Sequence, residues 1–181
     1  GLDGQAIDEV LISRNLKPSV IFCTHGHFDH TGSALFFQEK YGCQVFLSKS
    51  EKKITESSNF LLMLLKIPMK ITNAKFTLVE PDFVYDFDGL CLRFRSAPGH
   101  TPGSCVLEFG NVWFTGDTIY ARGFGLSGLP GEDKIILRAS ILGLWDDMRK
   151  PNRLVCPGHG VSSDGLSISH SNTKLMEFLR G

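Results

Sequence analysis

Residues 24–30 read Thr-His-Gly-His-Phe-Asp-His, and no other part of the chain is as rich in side chains that bind metal ions. Three imidazoles and one carboxylate lie between His25 and His30. Such groups repel one another when they are protonated or desolvated, unless a cation holds them together. The stretch therefore predicts a metal site.

Three further candidate ligands occur downstream, each in a short segment rich in glycine or proline. They are His100 in PGHTPG (98–103), Asp117 in TGDT (115–118) and His159 in PGHG (157–160). Five of the six histidines lie in such motifs, and we expect His170, in a serine-rich segment, to be an ordinary surface residue. A single histidine in such a loop is usually a surface residue, but four segments together favour a ligand set.

The hydrophobic pattern predicts where these segments lie in the fold. Helical spacing indicates helices near residues 7–14, 34–41, 49–66, 133–148 and 172–179. Apolar or alternating runs indicate strands near residues 20–23, 45–47, 76–78, 84–85, 90–94, 106–109, 112–114 and 154–156. The strand at 20–23 is predicted to be buried on both faces. Ile136, Ala139, Leu142 and Trp145 are predicted to form the apolar stripe of the helix at 133–148.

Each candidate ligand segment follows the end of a predicted strand. Loops at the carboxyl ends of strands are where mixed α/β folds build their sites, so we expect the four segments to converge on one point. Residues two apart in an extended loop point the same way, so that His25 and His27 can share one ion. His30, beside Asp29 at the start of the next helix, faces differently and can serve a second ion.

Two carboxylates have further roles in this reading. Asp117 has the right chemistry to bridge two cations, because each carboxylate oxygen can bind one of them. Asp29 has an alternative role as the N-cap of the helix that follows it, and the two roles are compatible.

Bulk composition limits the class of protein. The 181 residues are 42% hydrophobic and 21% charged, which predicts one soluble globular domain over residues 1–181. The formal net charge is zero, so we expect a small-molecule substrate, with neither nucleic acid nor a membrane as partner. Five cysteines without a CxxC pair predict a reducing compartment, taken as the cytoplasm, and no disulfide framework.

The four segments resemble the motifs of the metallo-β-lactamase-fold hydrolases, from residue 3 to about residue 165. The HTPGS and GDT sequences, and the glycine-rich stretch through residues 129–131, most resemble the glyoxalase II-like (hydroxyacylglutathione hydrolase-like) branch. The resemblance implies an α/β fold, a four-layer αββα sandwich with a dinuclear site at one edge. The strands that usually precede the position of Asp3 are expected to be missing, which would leave the domain short at its N-terminus.

The resemblance also implies a ligand set and a reaction. The first metal ion would be held by His25, His27 and His100, and the second by Asp29, His30 and His159, with Asp117 bridging the two. Zinc suits this set and hydrolysis best, and iron or manganese also fits it. The implied reaction is hydrolysis of a thioester by a hydroxide that bridges the two divalent ions, with Asp29 as the catalytic residue that orients the hydroxide and handles its proton.

Alternative functions remain open. The persulfide dioxygenases share the fold and similar histidine motifs but use one iron and oxygen, and the PGHG segment around His159 favours a filled second site and hence the hydrolase. A nuclease of this fold is disfavoured by the neutral charge. A truncated metal-binding module without turnover is disfavoured by the intact ligand set.

The substrate is also open. Leu126-Ser127-Gly128 stands where similar sequences often carry Arg-x-Asp, and the chain after His159 is too short for the helical domain that binds glutathione in full glyoxalase II enzymes. Candidates for an apolar mouth are Phe28, Phe124, Leu126 and Leu129, although core packing is the more common role for the two phenylalanines.

Overall fold

Three parallel strands organise the first half of the chain. The structure is a computed structural model that describes residues 1–181, and its two compact units are Gly1–Val79 and Glu80–Gly181. In the first unit the strand order is β1-β2-β3. Its elements are α1 (Gly4–Ser13), β1 (Val20–Phe22), α2 (Phe28–Thr31), α3 (Ala34–Tyr41), β2 (Gln44–Ser48), α4 (Lys52–Glu56), α5 (Ser58–Leu64) and β3 (Phe76–Val79).

Most of the predicted elements of this unit are confirmed. The central strand β2 is buried from Val45 to Ser48, and α3 ends at Gly42, whose φ of 72° closes the helix in the left-handed conformation that glycine adopts without strain. The prediction that β1 is buried on both faces is wrong. The strand is half-buried, because it lies at the edge of its sheet and has a strand neighbour on one side only.

The helical structure predicted for residues 49–66 is confirmed, but it is divided into shorter helices. A 3-10 turn at Lys49–Glu51 leads into α4, and Ser57 separates α4 from α5. Serine and asparagine at positions 57–59 compete with helical backbone hydrogen bonds, which explains the break. The apolar run that the pattern assigned to this helix is partly exposed, at 58% for Phe60 and 66% for Met63.

The second unit is built on a six-stranded sheet with the order β4-β5-β6-β7-β8-β9. Strands β4 to β7 form an antiparallel meander, β8 pairs parallel with β7, and β9 pairs antiparallel with β8. The elements are β4 (Val84–Phe87), β5 (Leu90–Ser96), β6 (Cys105–Phe109), β7 (Val112–Gly116), α6 (Lys134–Met148), β8 (Leu154–Pro157), β9 (Ser163–Asp164), α7 (Gly165–Ser171) and α8 (Thr173–Arg180). The pattern missed β9 and α7.

Two tight turns of the meander have the backbone conformation that their residues favour. Asp88 and Gly89 both have positive φ, at 50° and 93°, which is the backbone of the tight hairpin turn that Asp-Gly favours. Gly110 (φ 57°) begins the turn from β6 to β7. Residues 118–131 contain no helix or strand, as expected from their glycine content.

Helix α6 packs on this sheet with a different face from the predicted one. Asp133 caps the helix by accepting hydrogen bonds of 2.9 Å from the amides of Ile135 and Ile136. The predicted stripe is wrong, because Ile136 and Leu142 are 45% and 47% exposed. The buried stripe instead consists of Leu137, Ile141, Leu144 and Met148, which join the core around Trp113.

The fold class inferred from the pattern is confirmed as mixed α/β with two sheets. No helix of the chain has the length and hydropathy that crossing a bilayer requires.

Candidate metal centre

The histidine-rich stretch of the first unit forms a compact group of side chains. Strand β1 ends at Phe22, and the chain then runs through His25 and His27 into α2. The rings of His25 and His27 have centroids 4.9 Å apart and are almost perpendicular, and the rings of His25 and His30 are 4.0 Å apart. The Oδ2 atom of Asp29 lies 3.4 Å from Nε2 of His30. These four side chains, all of types that can bind a metal ion, are thus linked by close contacts, and we call them the first ligand group.

Burial and backbone contacts hold this group in place. His25 and His27 are 1% and 5% exposed, and the Thr24 hydroxyl lies 3.1 Å from Nδ1 of His25. The Gly26 amide donates a 2.6 Å hydrogen bond to the carboxylate of Glu51, which is fully buried. A polar contact behind a metal-binding imidazole orients the ring and fixes its tautomer.

Glu51 was not among the residues predicted for the site. It lies beside Lys52 and Lys53 in the sequence, as a surface residue often does, but its side chain is completely buried against the loop of His25. The N-cap role for Asp29 is wrong. The N-cap position of α2 is occupied by His27, whose side chain makes no capping hydrogen bond, and Asp29 lies in the first turn of the helix.

A second ligand group occurs in the other unit, at the ends of three strands of one sheet. His100 follows β5, Asp117 follows β7 and His159 follows β8, as the pattern predicts. The Oδ2 atom of Asp117 lies 3.6 Å from Nε2 of His100 and 3.3 Å from Nε2 of His159. Two imidazoles from separate loops thus approach the same carboxylate oxygen.

The loops around Asp117 pack without space for additional side-chain atoms. The carbonyl oxygen of Gly125 lies 3.0 Å from Nδ1 of His100, and it accepts a hydrogen bond when that nitrogen carries the proton. A Cβ atom added at Gly125 would be 1.7 Å from the carbonyl oxygen of Asp117. Gly99 (φ 128°) is equally restricted, because its Cβ would be 2.2 Å from the amide nitrogen of Leu137. Gly125 was not among the residues predicted for the site.

Exposure differs within the second ligand group. His100 and Asp117 are buried, at 2% and 8% exposed. The His159 side chain is 55% exposed, and its ring lies edge-on to Tyr120 with centroids 6.1 Å apart. The second ligand group is therefore open to solvent on the side of His159.

The donor set fits a divalent ion. Ligand atoms at 2.0–2.2 Å from a tetrahedral ion are roughly 3.3–3.6 Å from one another, by the geometry of the tetrahedron. The two nitrogen–oxygen distances at Asp117, 3.3 and 3.6 Å, fall in this range. Imidazole nitrogens and carboxylate oxygens are ligands that zinc, iron and manganese accept.

The structure accounts for each predicted site residue. The first unit brings together His25, His27, Asp29 and His30, and the second brings together His100, Asp117 and His159. The convergence of all seven residues on one dinuclear centre stays a prediction. His170 is exposed on α7, outside both groups, as predicted. Phe124 stacks on Phe178, with centroids 4.0 Å apart, in the core of the second unit.

Comparison with known proteins places these groups in a family. The profile of the metallo-beta-lactamase superfamily matches residues 1–159. The chain is 30% identical over 182 residues to the probable metallo-hydrolase YqgX of Bacillus subtilis, an alignment that covers 98% of this chain and 85% of YqgX. It is 28% identical over 170 residues to the hydroxyacylglutathione hydrolase GloC of Haemophilus influenzae, covering 86% of this chain and 73% of GloC.

A solved structure agrees with this assignment. The crystal structure of the B3 metallo-beta-lactamase BLEG-1 is 26% identical in sequence and superposes with a TM-score of 0.81, covering 96% of this chain and 84% of that one. The fold that the four motifs predicted is thereby confirmed. With a family profile that spans most of its length and both ligand groups at the ends of the expected strands, the chain belongs to the metallo-beta-lactamase superfamily.

Proposed function

We propose that this member of the metallo-hydrolase superfamily is a dinuclear hydrolase that cleaves a thioester, as hydroxyacylglutathione hydrolases do. One observation carries the proposal: Oδ2 of Asp117 lies 3.6 Å from Nε2 of His100 and 3.3 Å from Nε2 of His159. A carboxylate oxygen approached by two imidazoles from different loops is suited to bridging, and a bridging ligand needs two ions. The similarity to GloC supports a thioester as the bond that is cleaved.

The proposed ligand assignment uses both groups. One ion is assigned to His25, His27 and His100, the other to Asp29, His30 and His159, and Asp117 is assigned to both. Zinc is proposed first because it accepts nitrogen and oxygen ligands and supports hydrolysis, with iron and manganese as alternatives. Ions bound there would supply a water molecule whose pKa is lowered towards about 7, and a Lewis acid for the substrate carbonyl.

The side chains of the chain itself divide into holding and reacting roles. His25 and His100 are buried and contact the Thr24 hydroxyl and the Gly125 carbonyl, so each ring is held in one orientation. Asp29 differs, because its side chain is 31% exposed while one oxygen approaches His30. We assign to Asp29 the task of orienting the attacking water and accepting its proton.

The access route and the substrate follow from exposure and charge. The exposed His159 leaves one side of the second ligand group open to a small molecule. A net charge of zero supports a small-molecule substrate over nucleic acid. The cytoplasmic location stays a prediction.

The test compares Asp117→Asn with Asp146→Asn, which changes an aspartate that is 98% exposed on α6. We expect the unchanged protein, loaded in turn with zinc, iron or manganese, to hydrolyse S-lactoylglutathione and to bind two ions per chain by elemental analysis. Asp117→Asn should lose metal and at least about 100-fold in activity, because an amide bridges cations poorly. Asp146→Asn should retain both properties.

Two results would contradict the proposal. If Asp117→Asn kept full activity and two bound ions per chain, Asp117 would not be a ligand of the site. One iron per chain together with oxygen uptake would favour the dioxygenase alternative instead.

A further inference from the structure

Two adjoining cavities in the second unit meet at Arg122. The first has a volume of about 510 Å³ and is lined by Tyr120, Ala121, Arg122, His159, Gly160 and Val161. The second, of about 570 Å³, shares Ala121, Arg122 and Val161 with the first and extends to Lys174 at the start of α8. The two cavities, which share this wall, are together called the basic groove, and its lining runs from the proposed metal ligand His159 past Arg122 to Lys174.

The charge of the basic groove has one sign. Its lining includes one arginine and one lysine, and no aspartate or glutamate. Arg122 and Lys174 are both exposed, and the salt bridges of the chain involve other residues. An ammonium and a guanidinium that form no salt bridge raise the local potential, so that the groove attracts anions even though the net charge of the chain is zero.

The backbone around Arg122 is held in a fixed conformation. The side chain of Asn172, which is 2% exposed, accepts a 2.8 Å hydrogen bond from the Gly123 amide. Its Nδ2 atom donates to the carbonyl oxygens of Tyr120 and Gly123 at 3.1 and 2.9 Å. One buried amide thus ties the segment on both sides of Arg122 to the start of α8. A guanidinium on a fixed backbone loses less entropy when it binds a ligand than one on a mobile loop.

The groove also begins where the proposed reaction takes place. His159 lines the first cavity and its Nε2 is 3.3 Å from Asp117, so a molecule reacting at the second ligand group would extend into the groove. The rest of that cavity wall is Tyr120, Ala121, Gly160 and Val161, which offers no further charge. The first cationic group that such a molecule meets is Arg122.

We propose that the basic groove binds the anionic end of the substrate's thiol portion, a carboxylate or a phosphate, with Arg122 in direct contact and Lys174 as a second positive charge. The inference rests on the proposed thioester hydrolysis, because it assigns the groove to the thiol portion of that substrate. Arg122 pairs with either anion in a bidentate manner, since its fork of N–H groups matches both geometries. The substrate class becomes a thioester of a thiol that carries an acidic group.

Direct binding tests the groove without requiring turnover. S-methylglutathione carries carboxylates and desulfo-coenzyme A carries phosphates, and neither has a thiol that would bind metal. We expect one of these probes to bind the full chain in a calorimetric titration, and Arg122→Gln to weaken its Kd about tenfold, the loss expected of one charge-assisted contact. Lys174→Gln should weaken it less, and Arg180→Gln, at the far end of α8, should leave it unchanged. Binding should also weaken at high salt.

The identity of the successful probe distinguishes a carboxylate from a phosphate. The proposal is overturned if neither probe binds at millimolar concentration, or if Arg122→Gln binds as tightly as the unchanged chain. Since these side chains are exposed, each variant should keep the circular dichroism spectrum and Tm of the unchanged chain. If Arg122→Gln does not fold like the unchanged chain, Lys174→Gln provides an independent test of the proposal.

Kinetics separate this proposal from the proposed function. Arg122→Gln should raise KM about tenfold for a thioester of the thiol that corresponds to the bound probe, glutathione or coenzyme A, with kcat nearly unchanged, since it removes a contact present before and during the reaction. The uncharged thioester of N-acetylcysteamine should show no change. Absence of all thioester hydrolysis would overturn the proposed function, and the calorimetric titration would still decide whether the groove binds anions.

Discussion

At the scale of single residues, the second ligand group depends on a glycine as well as on its candidate ligands, because Gly125 has no Cβ atom. Gly125 allows its carbonyl oxygen to contact His100 while its Cα lies against the backbone of Asp117. Neither contact is available to a residue with a Cβ. The glycine is thus part of the site, although it carries no functional group.

Gly125→Ala should therefore both destabilise the chain and impair the site. The added Cβ would be 1.7 Å from the carbonyl oxygen of Asp117, so the backbone must move and carry His100 and Asp117 with it. We expect a loss of more than about 2 kcal/mol in the free energy of unfolding, measured with urea, and reduced zinc binding.

Gly143→Ala is the matched control for this substitution. Gly143 lies inside α6, and a Cβ there meets no atom within 4 Å. Alanine favours the helix over glycine, so this variant should gain roughly 0.5–1 kcal/mol. Equal stability of the two variants would show that the close approach at Gly125 is not as described.

The sequence identifies candidate ligands more readily than the residues that support them. His25, His100, Asp117 and His159 could be predicted because glycine-rich motifs at strand ends mark them. Glu51 could not, because an acidic residue next to two lysines has the pattern of a solvated surface, and its burial depends on the loop of His25 elsewhere in the chain.

At the scale of elements, α6 shows where periodicity stops being informative. Isoleucine and leucine occur on two sides of this helix, so both the predicted stripe and the observed one have helical spacing. Only packing against the sheet selects the face that includes Ile141. The existence and position of the helix were predictable, because Asp133 marks its start. The face that it turns towards the sheet was not predictable.

Alanine substitutions distinguish the two faces. Ile141 is fully buried, and Ile141→Ala should cost about 3 kcal/mol, since it removes buried methyl groups and leaves a cavity. Leu142 is 47% exposed, so Leu142→Ala should cost less than about 1 kcal/mol. Urea unfolding monitored by circular dichroism measures both values. The reverse order would mean that the helix packs by the face predicted from periodicity.

The contact between α1 and α3 provides a prediction about pH. Asp8 on α1 accepts hydrogen bonds from Lys40 and Tyr41 on α3. The Lys40 ammonium, and after it the Tyr41 hydroxyl, hold the pKa of Asp8 below its ordinary value of 3.8. A carboxyl group whose pKa is lower in the folded state stabilises the fold above its ordinary pKa and stops doing so as the pH falls through the lowered value.

Asp8→Asn should accordingly destabilise the chain at pH 7 and much less at pH 2.5. The measurement is the difference in unfolding free energy between the variant and the unchanged chain at both pH values. Glu9→Gln, one position along the same helix and exposed, should differ little from the unchanged chain at either pH. A loss in Asp8→Asn that stays constant with pH would show that the charge of Asp8 does not contribute.

At the scale of the whole molecule, each of the two compact units contains some of the predicted ligands. Four belong to Gly1–Val79 and three to Glu80–Gly181. The sequence predicts that all seven serve one dinuclear centre in a single domain. If so, neither unit alone provides a complete ligand set for either ion, and bound metal should stabilise the chain as a whole.

Removal of metal should thus lower the Tm by an amount that depends on ligands from both units. An ion present at 100 times its Kd stabilises the folded state by about 2.7 kcal/mol, or roughly 5–10 °C for a chain of this length. A chelator should therefore lower the Tm of the zinc-loaded chain by this amount. His27→Ala and Asp117→Asn should each reduce the chelator effect strongly, because each would remove a ligand from the shared centre. His170→Ala, which changes an exposed histidine of α7, should keep the full effect. A chelator effect that survives His27→Ala intact would mean that the first ligand group does not bind the stabilising ion, and the seven-ligand centre would have to be abandoned.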